Sequence, residues 1–169
     1  MKTILIALLA LVVLVILQLG VFYLISGHPA PIKNQVIINR SQETVFDFIA
    51  DMTNELKWNP DEQVMEKQSA GPVGLGTHFR AKWSLSPMLD VEITRYDRPH
   101  DVTFVNGGPL EVKLELNVTS RNNQTELNTT FSPTPHGFLR AIFPIMKRSL
   151  IAQERENMVN LKKVLESNG

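Results

Sequence analysis

Leu110-Glu111-Val112-Lys113-Leu114-Glu115-Leu116-Asn117-Val118 alternates apolar and polar side chains without a break. A strand turns successive side chains to opposite faces, so this run has one dry face and one wet face and predicts a half-buried antiparallel strand. The same period of two continues on either side. Thr77, Phe79, Ala81 and Trp83 alternate with His78, Arg80 and Lys82, and Leu127, Thr129 and Phe131 alternate with Glu126, Asn128 and Thr130. Strands are expected over 62–68, 77–84, 89–97, 101–106, 110–118 and 124–132, punctuated by turn segments such as 71–76, 84–87, 106–109 and 121–123. Connections this short join antiparallel neighbours.

Upstream of the sheet, Gln35-Val36-Ile37-Ile38-Asn39 reads as a further strand. Ser41 then offers an N-cap, and Val45, Phe46 and Ile49 recur at helical spacing. Asp51 caps a second short helix that ends at Trp58, because Pro60 disfavours helical backbone just before it. Downstream, Pro144 is expected to end a first apolar turn holding Phe138, Ile142 and Phe143. From about Lys147 to Glu166, Leu150, Ile151, Met158, Leu161 and Leu165 then fall within an arc of roughly 100°, which predicts a long helix with one apolar stripe.

The N-terminal end is of a different kind. Ile4 to Ile25 is a run of 22 residues with no charge and only Gln18 as a strongly polar interruption. About 20 such residues span the hydrocarbon layer, whereas a cleaved secretory signal has a shorter apolar core and a small-x-small site that His28-Pro29-Ala30 does not supply. The expected organisation is therefore a single-pass signal-anchor over 1–27, a short linker over 28–34 and one domain over 35–169. Lys2 lies before the run and Lys33 and Arg40 after it, so positive charge barely distinguishes the ends. The basic start before a long apolar core favours a cytoplasmic N-terminus with the domain on the outer face.

Composition narrows the chemistry. The 169 residues include 17 Lys+Arg, 17 Asp+Glu and no Cys, which gives no electrostatic reason to expect nucleic acid and removes thiol catalysis and Cys-ligated zinc. A domain of this size builds a core without disulfides. There is no Gly-x-Ser-x-Gly elbow, and the glycines at 71–76 match neither a dinucleotide loop nor a phosphate loop. His28, His78, His100 and His136 lack spacings that put two ligands on one helix face. No metal, cofactor or catalytic residue is assigned.

Several local motifs point further. Thr44-Val45-Phe46-Asp47-Phe48-Ile49-Ala50-Asp51, Trp58-Asn59-Pro60, Gly74-Leu75-Gly76-Thr77-His78-Phe79-Arg80, Tyr96-Asp97-Arg98-Pro99 and Asn160-Leu161-Lys162-Lys163-Val164-Leu165-Glu166 resemble the polyketide-cyclase-like branch of the START and pollen-allergen-like superfamily. The resemblance covers about residues 33–166. It implies an α+β helix-grip fold: a seven-stranded curved antiparallel sheet wrapped around a long C-terminal helix, with two short helices after the first strand. It also implies a cavity between helix and sheet for an apolar small molecule, in a family that spans lipid carriers, coenzyme-Q-binding proteins, cyclases and stress-response modules.

A closed core and a ligand-lined cavity share one sequence signature, so candidate lining residues follow from inward facing alone. They are Trp58, Phe79, Trp83, Phe104, Leu114, Phe131 and Met158, together with Glu154. Glu154 sits near the middle of the last helix's apolar arc, about 40° from Leu150. A carboxylate facing the sheet needs a polar cavity or a partner, unless that turn lies at the open mouth of the grip and the side chain reaches water. Three functions compete. One is a membrane-tethered binding module for a lipid, quinone or other apolar molecule, partnered by the bilayer through residues 4–25. A second is a cyclase- or hydrolase-type enzyme with Glu154 as acid or base, which requires a second ionisable group beside it that the sequence does not reveal. The third is an envelope or stress-related interaction domain with a filled core.

Overall fold

The alternating runs pair into one sheet in the computed structural model, which describes residues 2–27 and 29–167. Its strands are β1 Ile32–Ile38, β2 Glu62–Lys67, β3 His78–Trp83, β4 Leu89–Asp97, β5 Asp101–Asn106, β6 Leu110–Arg121 and β7 Gln124–Pro135. The order is β1-β7-β6-β5-β4-β3-β2, and every neighbouring pair is antiparallel. Register breaks at Glu62/Val64 and at Ile93/Arg95 place irregularities in β2 and β4. Such bulges bend a strand and strengthen its twist, which helps a sheet to curl. The β6–β7 hairpin turns through Asn122 and Asn123, both with positive φ, the backbone of a two-residue hairpin whose twist matches its strands.

Between β1 and β2 lie α2, Gln42–Ala50, and a short 3-10 helix, Met52–Lys57. Ser41 Oγ accepts from the Thr44 N–H at 3.3 Å, and Asp51 Oδ1 accepts from the Thr53 N–H at 3.1 Å, so both expected caps are present. The last helix, α3, runs Leu139–Ser167 and the sheet curls around it. The apolar run forms α1, Lys2–Ile25, whose leucines, valines and isoleucines are exposed almost all round. A helix apolar on every side has no solvent face to offer water, which fits a membrane anchor or a signal sequence.

Several element ends differ from expectation, among them β6, which runs on to Arg121 rather than stopping at 118. Helix α3 starts at Leu139 and keeps Pro144 inside it, so the proline does not end a separate turn. It deprives the Arg140 carbonyl of one donor near the helix start, while Ala141 and Phe143, just before it, are buried and hold the segment in place. Strand β7 continues through Pro133 to Pro135, beyond the expected end at 132. Because β1 stops with Ile32 opposite Phe131, the later prolines fall where one edge of β7 has no partner and a missing N–H leaves no gap in a ladder. Strand β1 itself begins at Ile32 rather than Gln35, pairing Ile32, Lys33 and Asn34 with Phe131, Thr130 and Thr129. Met1, His28, Asn168 and Gly169, where the expected anchor, linker and domain have their outer limits, lie outside the described residues.

The core is closed at one end of the grip. Leu165 of α3 belongs with Val45 and Phe46 of α2 and with Ile38 and Val118 of the sheet to this core, each nearly inaccessible to solvent, and Leu161, Ile49 and Leu127 form its border with the open part. Polar ties lock the same end: the Asn39 N–H donates to Glu166 Oε1, and Lys162 Nζ to the Ile37 carbonyl, both at 2.7 Å. The earlier turns of α3, from Leu139 to about Met158, leave space beneath them.

Candidate functional site

That space is a cavity of about 400 Å³. Its floor follows from register. Phe104 of β5 stands opposite Leu114 of β6, and Leu114 opposite Phe131 of β7, so one row of the sheet's dry face carries three large side chains side by side. Met146, Leu150 and Met158 of α3 form the roof, and the 3-10 helix with the 84–87 turn closes the flank through Met52, Trp58, Leu85 and Pro87. Leu85 is 93% exposed and marks the mouth.

The structure brings seven of the eight candidate residues to this wall: Trp58, Trp83, Phe104, Leu114, Phe131, Glu154 and Met158. Phe79 is the exception. It is 0% exposed, pairs across to Val91 and Lys67, and belongs to the closed core, so it corrects the expectation of a lining residue. Inward alternation identified its face but not its distance from the cavity, which Trp83, four residues on in the same strand, reaches and Phe79 does not.

Glu154 does face the cavity, and among the described residues its carboxylate accepts no hydrogen bond. Burial, and then the nearby Glu55, push it up to about 7. Glu55, in the 3-10 helix, is the second ionisable group that sequence reasoning did not reveal. It is only 8% exposed, and its Oε1 accepts from Asn59 Nδ2 at 2.6 Å and from the Trp83 indole N–H at 3.2 Å. Burial raises its pKa, and the two donors only partly offset that. The signal was available: three residues per turn in a 3-10 helix stack Met52, Glu55 and Trp58 on one face, and that face lines the cavity.

A third carboxyl, Glu62 of β2, lies opposite Trp83 in register and just behind the wall. Burial first, then Glu55 and Asp61, push it up to about 8, against backbone donors that pull it down. Asn157, one turn after Glu154, was also missed; at 3% exposure it buries an amide oxygen without a hydrogen bond on the cavity wall. Thr129 of β7 does the same with its hydroxyl. Among the described residues the wall carries Asp51, Glu55, Asp61 and Glu154 as its titratable groups, and no Lys, Arg, His or Tyr. The site is thus a mostly apolar chamber with an acidic, acceptor-rich flank.

Residues 30–166 match the family described as polyketide cyclase / dehydrase and lipid transport. No curated protein matches the chain. Among solved structures, the chain is similar to TTHA0849 from Thermus thermophilus, with a TM-score of 0.67 at 11% identity over 82% of this chain and 99% of that one. It is also similar to Ara h 8.0201, with a TM-score of 0.57 at 11% identity over 81% and 97% of the two chains. A third likeness is to DynU16, a protein of the dynemicin biosynthetic locus, with a TM-score of 0.59 at 17% identity over 83% of this chain and 48% of that one. At these identities the structures speak for the fold alone, which is the helix-grip architecture. The match over residues 30–166 takes in the whole sheet and nearly all of α3, and the chain belongs to the polyketide cyclase / dehydrase and lipid transport family.

Proposed function

We propose that this protein is a membrane-tethered binding module that holds an apolar small molecule, a lipid or quinone in kind, between the sheet and α3. The observation that carries the reading is the cavity of about 400 Å³ floored by Phe104, Leu114 and Phe131, a volume within the usual range for small-molecule sites. Its position supports the tether. The Arg140 guanidinium, in the first turn of α3, lies 4.4 Å from the ring centroid of Tyr23 near the end of α1. The Leu139 end of the cavity is therefore the end next to the anchor, and exposed Phe138 and Ile145 flank it. A ligand leaving a bilayer has a short path to the chamber. Native mass spectrometry of the full chain released from nanodiscs tests this: a co-purifying apolar species is expected, and a bare protein that also fails to bind an apolar fluorophore would count against it.

A second reading is favoured by one specific observation. Glu55 and Glu154 share the cavity wall, and burial raises the pKa of each, which favours the protonated form that a general acid needs. On that reading Glu154 is the acid or base of a cyclase- or hydrolase-type reaction. A Glu154→Gln variant that retains every turnover found with candidate substrates would remove it. The cavity itself weighs against an interaction domain with a filled core.

A further inference from the structure

The charge of the cavity wall is one-sided. Asp51 and Asp61 flank the 3-10 helix, Glu55 projects from it, and Glu154 descends from α3, with no cation among the described wall residues to balance them. Glu154 also stands one turn from Asn157, whose buried amide oxygen has no hydrogen bond. On a helix these two positions are neighbours on one face, so an unsatisfied acceptor and an unpaired carboxylate are presented together. Groups of this kind are costly inside a protein unless something donates to them. Trp58 and Trp83 add indole surfaces to the same wall, the aromatic faces on which a cation is most favourably placed.

We propose that the cavity selects an apolar molecule whose polar end is a protonated amine, held by Glu154 and Asn157, and that it rejects carboxylates and phosphates of equal size. The proposal rests on the apolar-binding reading and adds a charge preference to it. An anionic head would have to be buried beside several carboxylates with no counter-charge, whereas an ammonium relieves the repulsion between Glu55 and Glu154 and donates to both free acceptors on α3. The pull on the ammonium should depend on pH. The other titratable groups of the wall are Glu55, which acts directly on Glu154, and Asp51 and Asp61, all acidic, so ionising Glu154 strengthens the preference for a cation.

The test uses the full chain in nanodiscs of neutral lipid and three probes that share one ring system: naphthylmethylammonium, naphthol and naphthoate. Both tryptophans of the chain line the cavity, so their fluorescence reports binding directly, with empty nanodiscs correcting for partition. At pH 8.5, above the Glu154 pKa of about 7, the ammonium is expected to bind at least about tenfold tighter than naphthol, with naphthoate weakest. At pH 5.5 the preference for the ammonium should shrink several-fold, and Glu154→Gln should produce the same loss at pH 8.5. Naphthoate binding as tightly as the ammonium, or a preference unmoved by pH, overturns the charge inference while leaving the apolar reading intact. Failure of all three probes, naphthol included, overturns the apolar reading and this proposal with it. The wild-type pH series alone decides the matter if the variant does not fold.

Discussion

The two halves of α3 are one continuous helix against one continuous sheet, yet they are packed differently. At the C-terminal end, Leu165 is buried in the core with α2 and the sheet, and the β1 segment ties the last turns through Lys162 and Glu166. At the N-terminal half, Leu150 and Met146 roof an opening, and no short helix is inserted between them and the sheet. Strand β6 carries the same contrast on one face: Val118 is 0% exposed, whereas Leu114, four residues earlier, is only half-buried at the cavity. Apolar side chains of like size thus serve as core or as lining according to what packs over them. The difference separates stability from binding along a single helix.

The strongest way to break this comparison is to make one substitution at both ends. Leu165→Ala opens a void in a closed core and is expected to cost about 2–5 kcal/mol, while Leu150→Ala merely enlarges an existing space and should cost about 1 kcal/mol or less. Chemical denaturation of the full chain in a mild detergent measures both. Equal losses would mean that the cavity half is packed as tightly as the other and that the comparison is wrong.

Next in size is Glu62→Gln. Glu62 has a folded pKa of about 8 against an ordinary carboxyl value of 4.5, so between those two values the folded state binds the extra proton. Stability therefore falls as pH rises through that window, and the burial penalty is fully present above it. The glutamine variant should match the parent near pH 4 and exceed it by roughly 1–3 kcal/mol at pH 8.5, with a flatter pH dependence. Thermal unfolding at several pH values reads this. A variant less stable at both ends of the range would show that Glu62 is ionised and stabilising, contrary to its surroundings.

How far these features were legible in the sequence depends on the range of the interaction that sets them. Strands β4 and β5 fall where the period of two and their turn residues put them, 89–97 and 101–106, because both signals are local. Ser41 and Asp51 likewise cap the helices that follow them. The prolines misled because their cost depends on a neighbour. Pro133 and Pro135 are harmless only where β1 has ended, and Pro144 only where Ala141 and Phe143 are held by the rest of the fold. Glu154 stood out against its helical arc, but Asn157, about 20° from Leu150 on that arc, passed as an ordinary polar residue. Glu55 was hidden by the brevity of its helix, whose one-turn face becomes visible only when read with three residues per turn. Phe79 and Leu114 have the same alternation and opposite fates, because what covers a strand is decided elsewhere in the chain.

A smaller effect probes how α2 is held over the closed half. Ser41→Ala removes the side-chain acceptor of the Thr44 N–H and is expected to cost about 1 kcal/mol. Ser41 lies off the cavity wall, to which α2 contributes only Phe48 and Ile49 near its far end, so affinity for an apolar probe should change less than about twofold. A large loss of affinity with little loss of stability would place α2 in control of the cavity and blur the two halves.

The smallest expected change in stability comes from filling the chamber. Leu114→Trp adds a large ring in the row between Phe104 and Phe131, aimed into open volume rather than into packed neighbours. Overpacking normally costs about 1–3 kcal/mol because backbone and rotamers must shift, but a side chain that enters an existing cavity gains contacts instead. Stability should therefore stay within about 1 kcal/mol of the parent or rise, while binding of any apolar probe falls at least about tenfold. Denaturation and probe titration on one preparation separate the outcomes. Large destabilisation would mean that Leu114 is already packed, and undiminished binding would put the ligand somewhere other than the floor made by β5, β6 and β7. Loss of binding with stability intact would show that this half of the grip is kept open for a ligand and contributes little to holding the fold together.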